Sequence, residues 1–377
     1  MFRFSRETIF LTLAGSQAHG TAHEGSDIDI RGVCVAPLEA RLSLFGGFEQ
    51  YEGPLPSELE VTTRPRLETH ATAARALGGK TECVIFDVGK FVSLCVAANP
   101  NILEILFADP QDWLLATPRW RRLHAERQKF LTKKVQHTFL GYGMAQLKKI
   151  QSHRAWLLNP PTQKPSREQF GMPSTGGKLN RDDENRIEQS IADKLRSYGL
   201  EDIEMPKDAR IAAQARMDAF FRDATESVAV ADDVGDRMRA VATHALSIPA
   251  DVVAALNAEK KYRSALKHWD SFQTWQRQRN PARAELEKQH GYDTKHAMHL
   301  IRIMRMGLEV LELGDIHVRR DDAPELSAIR NGSMSYDDLL AAATSLRDRM
   351  ASVAAISTLP DDVDQAYVDR LAVELMA

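Results

Sequence analysis

Two aspartates, Asp27 and Asp29, lie two residues apart in the run Gly25-Ser-Asp-Ile-Asp-Ile-Arg-Gly32. In an extended chain, side chains at i and i+2 emerge from the same face, with Cα atoms about 6 to 7 Å apart. Two carboxylates so placed can jointly hold hard cations such as Mg²⁺, which keep several waters and bridge to substrate phosphates. The alternative is that the pair is only a solvated strand edge.

A glycine and a serine precede this pair along the chain. The segment Thr8 to Ala14 is rich in β-branched and apolar residues, which predicts a strand, and it ends in Gly15-Ser16. Glycine lets backbone N–H groups approach an anion, and a short helical turn starting at Ser16 would point its positive end at phosphate. A simple turn at the strand exit is the alternative. Together, however, the two strand ends place a candidate phosphate-binding turn, Gly15-Ser16, opposite a candidate metal-binding pair, Asp27 and Asp29.

Other phosphate-binding motifs are absent from the sequence. It contains neither a Walker lysine motif nor a Gly-x-Gly-x-x-Gly fingerprint. The Gly-Ser…Ser-Asp-x-Asp arrangement instead resembles the DNA polymerase beta-like nucleotidyltransferase superfamily. More closely, the chain resembles the RNA-repair-pathway polymerase-beta-like family, the RlaP type. The further motifs that support this resemblance are Lys90-Phe91, Asn99-Pro100-Asn101, Glu104 and Gly291-Tyr-Asp-Thr-Lys-His-Ala-Met-His299.

The resemblance implies a metal-dependent nucleotidyltransferase. Such an enzyme moves a nucleoside monophosphate from an NTP such as ATP to an acceptor hydroxyl and releases pyrophosphate. The resemblance implies Asp27 and Asp29 as ligands of two Mg²⁺ ions, with Mn²⁺ as an alternative ion, and Gly15, Ser16 and Ser26 as nucleotide contacts. The implied acceptor is an RNA 3′ end, such as a tRNA under repair. The alternatives are a protein-AMPylating, antitoxin-like enzyme and a non-catalytic RNA-binding protein on the same fold.

The superfamily usually supplies a third carboxylate from a neighbouring strand, where it activates the acceptor hydroxyl. Two acids flank the predicted strand Cys83 to Phe86, namely Glu82 and Asp87. We favour Glu82, because Asp87 is well placed to cap the helix that begins at Val88. Asp87 stays open as the alternative, since a glutamate is one methylene longer than the more usual aspartate.

A basic stripe lies on the predicted helix Thr294 to Leu313, where Lys295, His299 and Arg302 recur at i, i+4 and i+7. We expect this stripe to face the nucleotide phosphates or an RNA strand; a solvated face is the alternative. His296 lies nearer the apolar face and suits a buried, hydrogen-bonded histidine. We expect no metal role for His296 and His299, because no third ligand stands at a convincing spacing.

Two further segments are rich in cations. The first is a run from Arg119 to Lys134 with Glu126 as its only internal acid, and we expect Arg121, Arg122 and Lys129 to contact an RNA backbone. The second, residues 260–283, interleaves cations with Tyr262, Trp269 and Trp275. It suits single-stranded nucleic acid, but its aromatic spacing equally suits the buried face of an amphipathic helix.

Composition limits the class of protein. Of 377 residues, 43% are apolar, and the formal charge is −3, so any polyanion site must be local. The longest apolar stretches, such as Phe91 to Ala98, are too short to span a membrane, and we expect no secretory signal at the N-terminus. The cysteines, Cys34, Cys83 and Cys95, are an odd number without metal-ligand spacing. We therefore expect a cytoplasmic protein with no membrane partner.

The elements that must position these residues form an α+β fold. Predicted strands Thr8 to Ala14, Ile28 to Val35 and Cys83 to Phe86 form a small mixed sheet in an N-terminal catalytic domain, residues 1–118. A mainly helical domain, residues 119–377, is expected to bind substrate and cover the site. The connection Arg41 to Gly79, rich in glycine and proline, is predicted to be a mobile surface loop.

Helical periodicity continues almost to the end of the second domain. The predicted helices are Arg119 to Leu158, Glu184 to Tyr198, Asp208 to Ala229, Ala250 to Arg279, Thr294 to Leu313, Asp337 to Ala355 and Val363 to Met376. Ser335 with Asp338 three residues later predicts the N-terminal cap of the penultimate helix.

Overall fold

A computed structural model describes residues 2–44, 47–76, 80–172, 189 and 250–377 of the chain. Its N-terminal part contains a five-stranded sheet in the order β3-β4-β2-β1-β5. The strands are β1 (Thr8–Ala14), β2 (Ile28–Cys34), β3 (Gln50–Gly53), β4 (Thr81–Asp87) and β5 (Trp113–Ala116). Strand β2 pairs parallel with β4, and all other neighbours are antiparallel. The predicted α+β class with a small mixed sheet is confirmed.

Helices account for most of the remaining described residues. Up to residue 158 they are α1 (Phe4–Glu7), α2 (Gly15–His19), α3 (Leu38–Arg41), α4 (Ser57–Thr69), α5 (Val88–Val96), α6 (Pro100–Leu106), α7 (Pro118–Ala125) and α8 (Val135–Leu158). From residue 250 they are α9 (Ala250–Gln278), α10 (Pro281–His290), α11 (Thr294–Leu313), α12 (Ala323–Arg330), α13 (Tyr336–Ile356) and α14 (Gln365–Met376). None of these described helices is long and apolar enough to cross a membrane.

The chain divides into two compact units. Residues 1–159 and 280–377 form the first, and residues 160–279 form the second. In the second unit, Arg167 forms an ion pair with Glu259 of α9 at 2.9 Å, and Tyr262 contacts Phe170 with ring centroids 5.9 Å apart. The predicted helices Glu184 to Tyr198 and Asp208 to Ala229 lie outside the described residues. The division into domains 1–118 and 119–377 stays a prediction.

The predicted strands and several helices agree closely with the structure. The boundaries of β1 and α11 are as predicted, and Ser335 caps α13 by accepting the N–H of Asp338 at 3.1 Å. The predicted helix Arg119 to Leu158 is instead divided into α7, a 3₁₀ turn and α8. Helices α10 and α12 and strand β5 were not predicted.

The prediction of a mobile loop from Arg41 to Gly79 is wrong for its described residues. This connection contains β3, which pairs with β4, and α4, which buries Leu59, Thr63 and Leu67. Pro65 lies inside α4, where its missing N–H obscures the helical signal. Glycine and proline residues therefore weakened the sequence signal of β3 and α4, which tertiary packing holds in place.

The sheet has two different faces because successive side chains alternate. Leu11, Leu13 and Ile30 belong to one apolar cluster, beneath the sheet, with Cys83 and Ile85. The opposite face bears Phe10, Val33 and Phe86 at one end, where α5 and α6 cover it. The same face bears Asp29, Arg31 and Glu82 at the other end, as the two-residue periodicity of β2 and β4 requires.

Helices α8 and α11 pack unusually closely, and two glycines allow this approach. A Cβ atom on Gly307 of α11 would lie 2.7 Å from Cβ of Phe139 and 2.8 Å from Cε of Met350. On α8, a Cβ atom on Gly143 would lie 2.8 Å from Cγ of Met304. This packing joins residues 280–377 to the part of the chain that contains the sheet.

We expect Gly307→Ala to lower the free energy of unfolding by about 1 to 3 kcal/mol, because the added methyl group overpacks this crossing. Gly141→Ala is the matched control on α8, since a Cβ there has nothing within 4 Å. It should leave stability unchanged or raise it by about 0.5 to 1 kcal/mol, by favouring helix over coil. Urea unfolding of both variants tests this; equal effects would contradict the proposed close packing.

Candidate active site

The backbone at the end of β1 lies directly against Asp29 of β2. Ala14 pairs with Asp29 across the two strands, and Gly15 follows with φ of +59°. A Cβ atom on Gly15 would collide with Oδ2 of Asp29. Only glycine fits, both because of this conformation and because of this contact. The Gly15-Ser16 turn and the Asp-x-Asp pair, identified separately in the sequence, therefore adjoin in space.

Strand β4 places Glu82 beside Asp29. The parallel register pairs these two residues directly, so their side chains share the face of the sheet that also bears Arg31. Asp27 immediately precedes β2 and is exposed. Asp27, Asp29 and Glu82 are thus oxygen donors at adjoining strand ends, and this donor set suits Mg²⁺ or Mn²⁺.

A lysine balances this acidic cluster. Lys80 Nζ lies 2.6 Å from Oε1 of Glu82. This hydrogen bond raises the pKa of Lys80, and the charges of Asp27 and Asp29 act in the same direction. The same hydrogen bond lowers the pKa of Glu82, which is therefore ionised at neutral pH. An ionised carboxylate is ready to bind a cation.

Asp87, the alternative third carboxylate, lies at the opposite end of β4 from Glu82. Its Oδ2 accepts the N–H of Gly89 at 2.9 Å and so caps α5, while its Oδ1 accepts the N–H of Ala36 at 3.1 Å. Arg41 Nε lies 3.5 Å from Oδ1 as well. The strand register favours Glu82, although the assignment of the third carboxylate stays a prediction.

Lys295, at the start of α11, is close enough to the acidic cluster to interact with it electrostatically. Partial desolvation lowers the pKa of Lys295, and the cations Arg283 and Arg330 add to this effect. Asp29 and Asp27 oppose it, since they stabilise the charged ammonium. Lys295 is therefore within electrostatic range of Asp27 and Asp29.

The other two residues of the predicted basic stripe, His299 and Arg302, do not form an exposed basic surface. Arg302 is 3% exposed and donates to Oε1 of Glu104, whose Oε2 lies 2.9 Å from Nε2 of His19. Burial by itself would raise the pKa of Glu104, but Arg302 and His19 outweigh it and hold this pKa below its usual range. Burial, aided by Arg302, keeps His299 neutral by lowering its pKa well below the usual value. Arg302 thus neutralises a buried carboxylate in this structure.

A cavity of about 430 Å³ lies beside Asp29. Its polar lining includes Gly15, Asp29, Arg31, Asn101 and Glu104, and apolar side chains of α5 and α6 complete it. The volume lies within the usual range for small-molecule sites. Arg31, whose Nη2 lies 3.6 Å from Oδ1 of Asp29, was not among the predicted site residues, although its position two residues after Asp29 indicated the same face.

Ser26 lies in the turn that precedes β2. Its hydroxyl accepts the N–H of His23 at 2.9 Å, and its own N–H donates to the carbonyl of His23 at 3.0 Å. These bonds close the turn and fix the direction in which Asp27 enters the strand. The structure therefore gives Ser26 a role in shaping the turn; its predicted nucleotide contact stays a prediction.

The basic run Arg119 to Lys134 is less one-sided than the sequence indicated. Arg122 pairs with Glu126 at 2.8 Å and with Glu374 of α14 at 3.1 Å. Lys129 Nζ lies 3.7 Å from Glu126 and 4.4 Å from the ring centroid of Tyr367. Arg121 is exposed, with its guanidinium 5.5 Å from the ring centroid of Trp113. Carboxylates from the C-terminal residues offset much of the run.

Comparison with known proteins agrees with the motif resemblance. Residues 3–157 match the model of a family described as RlaP: RNA repair pathway DNA polymerase beta family. The matched range includes the whole sheet and the residues that line its acidic end, and it confirms the resemblance there. A search of the curated proteins and of the solved structures found no significant match.

Stability should distinguish the two candidate third carboxylates. We expect Asp87→Asn to lower the free energy of unfolding by about 1 to 3 kcal/mol, because an amide cannot accept both backbone N–H bonds without leaving one buried donor unpaired. Glu82→Gln should leave stability unchanged, because this side chain is 52% exposed. Thermal and urea unfolding provide the measurement. Asp87→Asn with wild-type stability would contradict the assigned role.

Proposed function

From this family match we propose that the protein is a metal-dependent nucleotidyltransferase that moves a nucleoside monophosphate from an NTP to an acceptor hydroxyl. The observation that supports this most strongly is the contact of Gly15 with Asp29, beside Glu82 and a cavity of about 430 Å³. It combines hard oxygen ligands, a close backbone approach and room for a nucleotide within one end of the sheet.

Asp27, Asp29 and Glu82 are the residues that would hold the Mg²⁺ ions. Bound Mg²⁺ supplies positive charge that neutralises the triphosphate and lowers the pKa of a coordinated hydroxyl. The residues fit this ion, because they are carboxylates at adjoining strand ends. Since its hydrogen bond with Lys80 lowers the pKa of Glu82, this side chain suits a ligand better than a strong base.

The chain's own cations would position the triphosphate. Arg31 lines the cavity beside Asp29, and Lys295 of α11 is within electrostatic range of Asp29. Lys80, which pairs with Glu82, would be a third cation beside the carboxylates. The acceptor oxygen would attack the α-phosphorus as the bond to the β-phosphate oxygen breaks, and the hydroxyl proton would pass to solvent. Pyrophosphate is the leaving group, and catalysis is mainly by position and charge.

For the acceptor we propose an RNA 3′ end, because the matched family is described as an RNA repair family. A tRNA-like substrate and ATP as the donor are the finer parts of this proposal, and we place the reaction in the cytoplasm. Of the three predicted basic residues, Arg121 is the one without a carboxylate partner among the described residues, since Arg122 and Lys129 already contact carboxylates.

We expect Asp27→Asn, Asp29→Asn, Glu82→Gln and Gly15→Ala each to reduce nucleotidyl transfer by about 100-fold or more. The first three variants remove ligand charge, and the fourth displaces Asp29. Asp369→Asn, an exposed acid on α14, is the control and should retain activity. The assay is incubation with each labelled NTP, Mg²⁺ and either total RNA or total protein. Label in protein alone would support AMPylation, and full activity of Asp29→Asn would overturn the site.

Charge reversal on α7 tests the proposed RNA contact. Arg121→Glu should weaken binding to unrelated RNAs and flatten the salt dependence by about 0.7 log units for each phosphate that the protein no longer neutralises. NTP binding should not change. Arg122→Glu is the comparison, because it would place a third carboxylate beside Glu126 and Glu374 and so should mainly lower the melting temperature. Fluorescence anisotropy at several salt concentrations measures both; an unchanged salt slope for Arg121→Glu would contradict the contact.

A further inference from the structure

Three side chains meet between α8 and α11, one from α8 and two from the start of α11. His153 of α8 places Nδ1 3.2 Å from Oδ2 of Asp293, and Nε2 of His296 lies 3.6 Å from the same oxygen. One ligand atom from each residue falls within 4.8 Å of the others. A metal role for His296 was not expected from the sequence, because no third ligand stood at a suitable spacing. The structure places Asp293 and the distant His153 beside His296 as further candidate donors.

We propose that His153, Asp293 and His296 form a binding site for a transition-metal ion of the Zn²⁺ type, separate from the carboxylate site on the sheet. Two imidazoles and one carboxylate are a donor set typical of Zn²⁺, with a fourth position left for water. Atoms that coordinate one Zn²⁺ ion lie about 3.3 Å apart, because each lies about 2.0 Å from the metal. The observed separations require only small side-chain movements.

The surroundings hold these ligands in place. Oδ1 of Asp293 accepts the N–H of His296 at 3.1 Å and caps α11, which leaves Oδ2 directed at the two imidazoles. Arg154 donates to the carbonyl of Gly291 at 2.7 Å, and Tyr292 donates to the carbonyl of Met334 at 2.6 Å. The loop before α11 is therefore fixed against α8 and α13. The ring of His153 stacks on Trp156 with centroids 5.5 Å apart, which restricts its rotation.

The two ring nitrogens of His296 differ in their surroundings. Its Nε2 lies 3.6 Å from Oδ2 of Asp293. Its Nδ1 is buried and has no hydrogen-bond partner among the described residues.

Arg283 is the group that competes with a metal ion. Its guanidinium donates to Oδ2 of Asp293, where it acts as the counter-charge in this structure. Arg283 Nε also lies 3.3 Å from Oε1 of Glu287, which is 1% exposed. Arg283 can therefore leave Asp293 and keep an ionic partner. We therefore expect Arg283 to lower the affinity of this site for a metal ion, because the two cations compete for Asp293.

The experiment is titration of the untagged, chelator-treated full-length protein with ZnCl₂ against a chromophoric zinc competitor. Wild type should bind one Zn²⁺ ion at this site. His153→Gln and His296→Gln should each weaken binding by more than about 100-fold, which is a larger loss than the removal of a residue that only contacts a ligand would cause. His137→Gln, an exposed histidine on α8, is the matched control and should bind normally. Mg²⁺ should not compete, because it disfavours nitrogen ligands.

Two further variants make the result unambiguous. Arg283→Gln should tighten Zn²⁺ binding by about 10-fold or more, because it removes a cation beside the metal. The double variant Asp29→Asn, Glu82→Gln should bind Zn²⁺ as wild type does, which excludes the sheet carboxylates. Circular dichroism checks that each variant is folded. Absence of saturable binding, or equal affinity in wild type, His153→Gln and His296→Gln, would overturn the proposal whether or not nucleotidyl transfer is observed.

Discussion

The buried ion pair between Glu104 and Arg302 ties the candidate site together. Glu104 lies on α6, Arg302 lies on α11, and His19 of α2 contacts the same carboxylate. A buried charge that loses its partner is strongly destabilising, on the order of 3 to 5 kcal/mol. The three helices are therefore held in one arrangement, and α2 begins at Gly15, whose backbone lies against Asp29. The position of Glu104 in the cavity wall thus depends on Arg302, which lies almost 200 residues later in the chain.

The other half of the site arises because successive side chains of each strand point to opposite faces of the sheet. One face of β2 and β4 bears Ile28, Ile30, Cys83 and Ile85 and is covered by its own apolar cluster. The other face is apolar only towards one end, so Asp29 and Glu82 remain accessible at the other end. Polar side chains can cluster there without being buried and lacking hydrogen-bond partners, because they face solvent or the cavity. The absence of a Cβ atom at Gly15 then allows the next turn to approach the carboxylate.

Charge along this chain is balanced through space rather than along the sequence. Lys133 and Lys134 pair with Asp361 and Asp362 at 3.5 Å and 2.6 Å, just as Arg122 pairs with Glu374. A basic run can therefore serve to attach the last residues of the chain to the helices after β5. Such exposed pairs contribute little energy each, but they lower the positive potential that a polyanion would encounter.

Features that depend on local physics could be predicted from the amino-acid sequence. Strand alternation placed Asp27 and Asp29 at one strand end, helical periodicity located α11 to the residue, and the preference of Asp87 for a cap was visible in its position before α5. Contacts between distant segments, in contrast, required the folded chain. The pairing of Arg302 with Glu104 and the meeting of His153 with Asp293 depend on how α8 and α11 cross. No local rule encodes such a crossing, because it follows from the shape of two complete helix surfaces.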